Sequence, residues 1–156
     1  MQKKLKIRQA LTTEIKQLQI LNDQVMIDNP RFDSDLMPNW GRSEQGRRYF
    51  EELLNDDSAI CLTAEDQGAL VGYIAARPKD FGHRLSKYVE LENIGVIPEY
   101  QNRGIAKALY NAFLVWAKQQ GYQKVYLESY FSNSKARDFY EKMGFTPIDI
   151  AYEKNL

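Results

Sequence analysis

The chain has 156 residues, with 21 Lys+Arg against 21 Asp+Glu, one His and one Cys. One Cys excludes an intrachain disulfide, one His and one Cys exclude a Cys/His zinc site, and a His-based catalytic dyad would have to use His83. The length suits one domain spanning residues 1–156, zero net charge argues against nonspecific nucleic-acid binding, and with no long apolar run neither signal peptide nor membrane span is expected, which points to a cytoplasmic protein.

Residues 4–9 alternate Leu5 and Ile7 with Lys and Arg and predict a short strand. Thr12 or Thr13 is placed to cap a helix running to about Asp28 on Ile15, Leu18, Leu21 or Asn22, and Val25. Residues 29–42 are irregular, with Pro30, Pro38 and Gly41 among Phe32, Met37 and Trp40. A second helix opens at Ser43 and turns Tyr49, Phe50, Leu53 and Leu54 to one side. Residues 59–65 and 69–77 predict a hairpin about Asp66-Gln67-Gly68, with Cys61 as a small core residue. His83 falls in the polar stretch that follows and reads as a solvated loop residue. Residues 87–97 predict a strand stopped by Pro98, and residues 104–120 a long helix ended by Gly121. A strand over 124–130, a helix over 132–143 and a last strand over 146–154 complete the chain. The strand–helix–strand unit at 87–130 implies a right-handed parallel crossover, while the hairpin implies antiparallel neighbours. The expected fold is therefore α/β, a mixed, mostly antiparallel sheet with helices on both faces.

The segment Ile94-Gly95-Val96-Ile97-Pro98-Glu99-Tyr100-Gln101-Asn102-Arg103-Gly104-Ile105-Ala106-Lys107 carries the most chemistry. A strand ends at a Pro, a polar turn follows, and a helix starts near Gly104. The first amides of a helix lack intrahelical partners, and its dipole favours an anion there. Gly104 permits close approach to the backbone, and Arg103 and Lys107 add positive charge. A phosphate or pyrophosphate suits such a site; an ordinary strand–turn–helix is the plainer alternative. Neither a P-loop nor a dinucleotide fingerprint is present.

Gln101-Asn102-Arg103-Gly104-Ile105-Ala106 resembles the Gln/Arg-x-x-Gly-x-Gly/Ala signature of the GCN5-related N-acetyltransferases, with Gln101 and Ala106 as its less common variants. Asn133-Ser134-Lys135-Ala136-Arg137-Asp138-Phe139-Tyr140-Glu141-Lys142-Met143-Gly144-Phe145 is similar to the family's second motif, about 30 residues on. The resemblance implies transfer of an acetyl group from acetyl-CoA to an amine, with no metal. It implies a splayed parallel strand pair whose V takes the pantetheine arm, with Gly95 suited to a bulge. It places Ile94 and Val96 against pantetheine, the amides of residues 101–107 around the pyrophosphate, and Asn133 on the second wall. An Asn before a helix is also an ordinary N-cap. Tyr140 matches the family's general acid, although as a helix-face aromatic it also suits a core. Glu92, with Glu90 second, matches family positions for a base; two residues apart on one strand, they share a face, and they also read as solvated charges. The family's acceptor wall corresponds to residues 29–42, where Asp33, Asp35 and nearby Asp28 suit a cation. A small amine, a peptide N-terminus and a lysine all fit, and so does simple packing of the loop's aromatics. A noncatalytic acyl-CoA-binding module and use of another acyl-CoA stay open as alternatives. No nucleic-acid or membrane partner is expected. Pairing of two copies through the alternating residues 148–152 is left open by the resemblance.

Overall fold

The computed structural model describes residues 5–156. Residue 4 of the predicted first strand, and the basic opening 1–4, lie outside the described residues. Among the described residues, five strands form one sheet in the order β1 (Lys6–Gln9), β2 (Ile60–Asp66), β3 (Ala69–Lys79), β4 (Tyr88–Val96) and β5 (Lys124–Tyr126). The first three junctions are antiparallel and β4–β5 is parallel. Helices α1 (Ile15–Val25) and α2 (Glu44–Asn55) cover one face; α3 (Ile105–Gln119) covers the other, and α4 (Ser134–Lys142) follows β5. The mixed sheet with helices on both faces is the architecture the residue pattern implied.

Alternation along the strands builds two apolar layers. Ile74, Ala76, Val89 and Leu91 meet Leu109 and Phe113 of α3. Tyr73, Ala75 and Cys61 meet Leu18 and Leu21 of α1 and Phe50 and Leu53 of α2. Cys61 is a buried core residue, and burial pushes its thiol up to about 12. Inside the second layer the Asn22 amide donates to the Tyr73 hydroxyl at 2.7 Å, so the buried phenol has a partner.

Three expectations need correction. Neither Thr12 nor Thr13 caps α1: both lie in a short 3₁₀ turn (Thr12–Glu14), and the Glu14 carboxylate accepts the Leu11 N–H at 2.8 Å instead. Strand β5 stops at Tyr126 rather than at 130. Residues 146–156 form no strand; Ile148, Ile150 and Tyr152 alternate as expected but stand exposed. Period-2 alternation is necessary for a strand but not sufficient, because the ladder needs a partner edge. Within one chain the three-residue β5 offers very little of one.

Candidate active site

The cleft begins where β4 and β5 part. They pair only at Tyr88↔Lys124, Val89↔Val125 and Glu90↔Tyr126. Beyond that point residues 127–133 leave the sheet, while β4 continues to Val96 against β3 alone. The free edge of β4, Leu91 to Val96, thus forms one wall of a V that includes Ile94 and Val96. The bulge in β4 lies elsewhere than at Gly95. The register shifts between Ala75↔Asn93 and Ala76↔Leu91, which leaves Glu92 as the extra residue. Gly95 is required for a different reason: a Cβ there would overlap the Val25 side chain of α1.

The turn into α3 carries two left-handed residues, Asn102 (φ 60°) and Gly104 (φ 76°). Gly104 is the residue preceding α3, with no side-chain cap, and a Cβ on it would face open space. Ala108 N–H makes the first helical bond, to Gly104 O at 3.0 Å. The amides of Ile105, Ala106 and Lys107 therefore have no partner in the helix. Free donors, a dipole and open space suit an anionic group such as a pyrophosphate. The flanking cations differ in their freedom. Arg103 folds back, donating to Glu99 O at 2.8 Å over the Tyr100 ring. Lys107 makes no ion pair among the described residues. Lys135, at the start of α4, donates to Gln101 Oε1 at 3.1 Å across the mouth of the site. It is a third cation here, carried by the second motif. Gln101 also donates to Val96 O at 3.2 Å. Asn133 caps α4, accepting Ala136 N–H at 3.1 Å, so its plainer reading holds.

Tyr140 stands on α4 between Phe139 (5.6 Å) and Phe145 (5.8 Å). Burial raises its phenol above the usual 10.0. Its hydroxyl makes no hydrogen bond among the described residues, so the proton is held and uncommitted. It is not bonded to either strand carboxylate.

Glu90 and Glu92 do share the face covered by α1 and α2. Each is paired: Glu90 with Lys79 at 3.1 Å, Glu92 with Arg77 at 2.9 Å. Tyr49 of α2 also donates to Glu92 at 2.7 Å. Tyr126 lies on this face too, pushed up to about 12 by burial and the Glu128 carboxylate it bonds at 2.8 Å. Arg77 and Lys79 carry no role in the sequence reading, and Tyr49 enters it only as part of a helix's apolar face. Strand alternation from Tyr73 through Ala75 extends to Arg77 and Lys79 and was the available signal.

The loop over residues 29–42 reaches the far wall. Phe32 stacks on Tyr130 at 6.0 Å, and Tyr130 donates to Asp33 at 3.2 Å. Trp40 packs edge-on against Tyr49 at 5.6 Å. These rings are engaged in packing; Met37 is exposed. His83 is an exposed loop residue with its Nδ1 against Phe81 O at 2.7 Å. A surface concavity of about 660 Å³ is lined by Asp23, Gln24, Ile27, Asn39 and Arg42, none of them a wall of the V. Among the described residues no cluster of three His, Cys, Asp or Glu could hold a metal, and no helix is long and apolar enough to cross a membrane.

A family model described as Acetyltransferase (GNAT) family matches residues 26–145. The chain belongs to this family. A [Ribosomal protein bS18]-alanine N-acetyltransferase of Haemophilus influenzae is 32% identical over 114 residues, 70% of this chain. The chain spans less than two thirds of that relative, 63% of its length. An N-alpha-acetyltransferase of Sulfurisphaera tokodaii is 28% identical, covering 95% of this chain and 84% of that one. Among solved structures, an aminoglycoside N-acetyltransferase, AAC(6')-Iy, in complex with CoA superposes with a TM-score of 0.76 at 24% identity, covering 98% of this chain and 96% of that one. At that identity the likeness shows the GNAT fold, which agrees with the splayed parallel pair.

Proposed function

We propose that this GNAT chain is an acetyl-CoA-dependent N-acetyltransferase whose acceptor is the α-amine of a peptide. The observation that carries the first part is the V between β4 and β5, closed at one end by the uncapped start of α3. Acetyl-CoA brings an acetyl group activated as a thioester. The edge of β4 at Ile94 and Val96 receives its arm, and the amides of Ile105, Ala106 and Lys107 receive its pyrophosphate, with Asn133 on the second wall. Glu92, or Glu90 in second place, takes the proton that the acceptor ammonium must lose before its nitrogen attacks. As the new N–C bond forms and the C–S bond breaks, Tyr140 gives its proton to the leaving sulfur.

The acceptor class follows from how these carboxylates are held. Both are already ion-paired, and Glu92 also accepts a hydrogen bond, so each has a partner before any acceptor arrives. At pH 7.5 about a third of peptide α-amines are neutral, against about 0.1% of lysine side chains. An α-amine therefore asks far less of any base. The same pairing leaves little free negative charge for a polycation. The two relatives named for alanine and N-alpha acetylation support this choice.

The test is thiol release from acetyl-CoA with peptides bearing a free or a blocked N-terminus, each containing one lysine, and with a polyamine. Release with the free N-terminus at least about tenfold above the blocked peptide is expected. Equal rates with both peptides would move the acceptor to lysine. Calorimetry supplies the complementary measurement: binding of acetyl-CoA without release for any amine would favour a noncatalytic module. Tighter binding of succinyl-CoA would change the donor, and no binding of either at millimolar concentration sinks the proposal.

The exposed alternation of Ile148, Ile150 and Tyr152, beside a sheet edge unpaired within the chain, supports pairing of two copies through residues 146–156. A solution mass of twice 18.2 kDa is expected, falling to the single value in Ile150→Asp. A monomer in the unmodified chain rejects the pairing.

A further inference from the structure

The ring of Tyr49 packs edge-on against Trp40 at 5.6 Å and Phe50 at 5.1 Å. A Phe would fill that space equally well. The hydroxyl has a separate role. It donates to Glu92 Oε2 at 2.7 Å and accepts from Asn93 Nδ2 at 2.9 Å. It reaches both because the bulge at Glu92 turns two consecutive side chains to the α1/α2 side. On a regular strand one of them would face α3. The other carboxylate oxygen, Oε1, lies 2.9 Å from Arg77 Nε, and the Arg77 guanidinium sits over the Tyr49 ring at 5.2 Å. Each oxygen of Glu92 thus has a neighbour on a different element: Tyr49 on α2 by a hydrogen bond, and Arg77 on β3 by charge alone, since the buried Arg77 Nε makes no aligned hydrogen bond among the described residues. The directional hold on this carboxylate therefore comes from the Tyr49 hydroxyl, which favours one terminal torsion and so one direction for the remaining lone pairs.

We propose that Tyr49 is a positioning residue for acetyl transfer, whose hydroxyl clamps the Glu92 carboxylate and the bulged segment of β4 in the arrangement that accepts the acceptor's proton. This rests on the reading of Glu92 as the base. Tyr49 touches neither donor nor acceptor; it acts through Glu92 and Asn93.

The experiment is a kinetic double-mutant cycle on the full chain, with acetyl-CoA and the best acceptor peptide. Tyr49→Phe is expected to lower kcat roughly 10–100-fold, with KM for acetyl-CoA within about twofold of the unmodified chain. In a Glu92→Gln background the same substitution is expected to change kcat by less than about twofold, because its route of action has been removed. A purely structural tyrosine would give equal losses in both backgrounds, and that result overturns the proposal while leaving Glu92 as the base. An unmodified kcat in Glu92→Gln overturns both the base assignment and this proposal. A Tyr49→Phe kcat within about twofold of the unmodified chain overturns the positioning role alone. If Tyr49→Phe fails to fold, Arg77→Lys reads the clamp from its other oxygen: non-additivity with Glu92→Gln supports the clamp, and additive losses overturn it.

Discussion

Replacing Tyr140 with Phe is expected to lower kcat by roughly 10²–10⁴-fold, the usual contribution of a general acid, while the Kd for acetyl-CoA stays within about twofold. The expectation rests on a separation of roles within one side chain. The ring is anchored by Phe139 and Phe145, contacts that a phenylalanine ring would keep, so the fold and the cofactor cleft should survive. The hydroxyl contributes nothing to that packing and has no bonded partner among the described residues, so its loss removes only a proton donor. Burial raises the phenol above its usual 10.0, which keeps it protonated across the neutral range. A higher value also makes a weaker acid. A leaving sulfur protonated by this phenol would share its poorly solvated surroundings, and burial disfavours thiolate as well as phenolate, so the transfer would not be opposed from one side alone. A pH consequence follows with a definite sign. The acid fails only when it loses its proton, so kcat of the unmodified chain should show no falling limb from this group below about pH 10. A rate series at saturating substrate from pH 7 to 9.5 checks this, and stopped-flow thiol release checks the variant. A Tyr140→Phe kcat within about threefold of the unmodified chain would sink the assignment.

The parts of this site that were legible in the sequence are those built from contiguous residues. The run from Ile94 to Lys107 states its own geometry: a strand, a Pro, a polar turn, a glycine and a helix start. The positive φ at Gly104 and the partnerless amides beyond it agree with that reading. Glu90 and Glu92 sharing a face needed only the strand period, and their separate ion pairs with Lys79 and Arg77 agree. The Tyr49–Glu92–Arg77 arrangement was not legible, because it joins α2, β4 and β3 through a bulge. A bulge is set by how two strands register, and one strand's composition does not locate it. Gly95 was the natural suspect on composition, yet the shift falls at Glu92. Residues 146–154 show the opposite failure. Their alternation is clear, but a strand is a relation between two edges, and no edge among the described residues pairs with them.

Gly95 supplies the second large expected effect, and it joins stability to the cleft. A methyl group on Gly95 would occupy the place of the Val25 side chain, so β4 and α1 cannot both keep their positions in Gly95→Ala. Overpacking of this kind costs about 1–3 kcal/mol, or roughly 2–4 °C of Tm for each kcal/mol in a chain of this size. The displaced strand is the wall that carries Ile94 and Val96, and a shift of about 1 Å at such a wall can cost on the order of 100-fold in kcat/KM. Val25→Ala alone opens space and should cost a smaller, ordinary loss of stability. The double variant Gly95→Ala/Val25→Ala lets one methyl replace another. It is expected to be more stable than Gly95→Ala alone, with an interaction energy of about 1–2 kcal/mol in the compensating direction, and to recover most of the lost kcat/KM. Thermal unfolding of the four chains, with steady-state rates on each, measures both effects. Additive losses in Tm would show that the glycine is not held by α1. Recovery of Tm without recovery of rate would separate the packing of β4 from the function of its free edge.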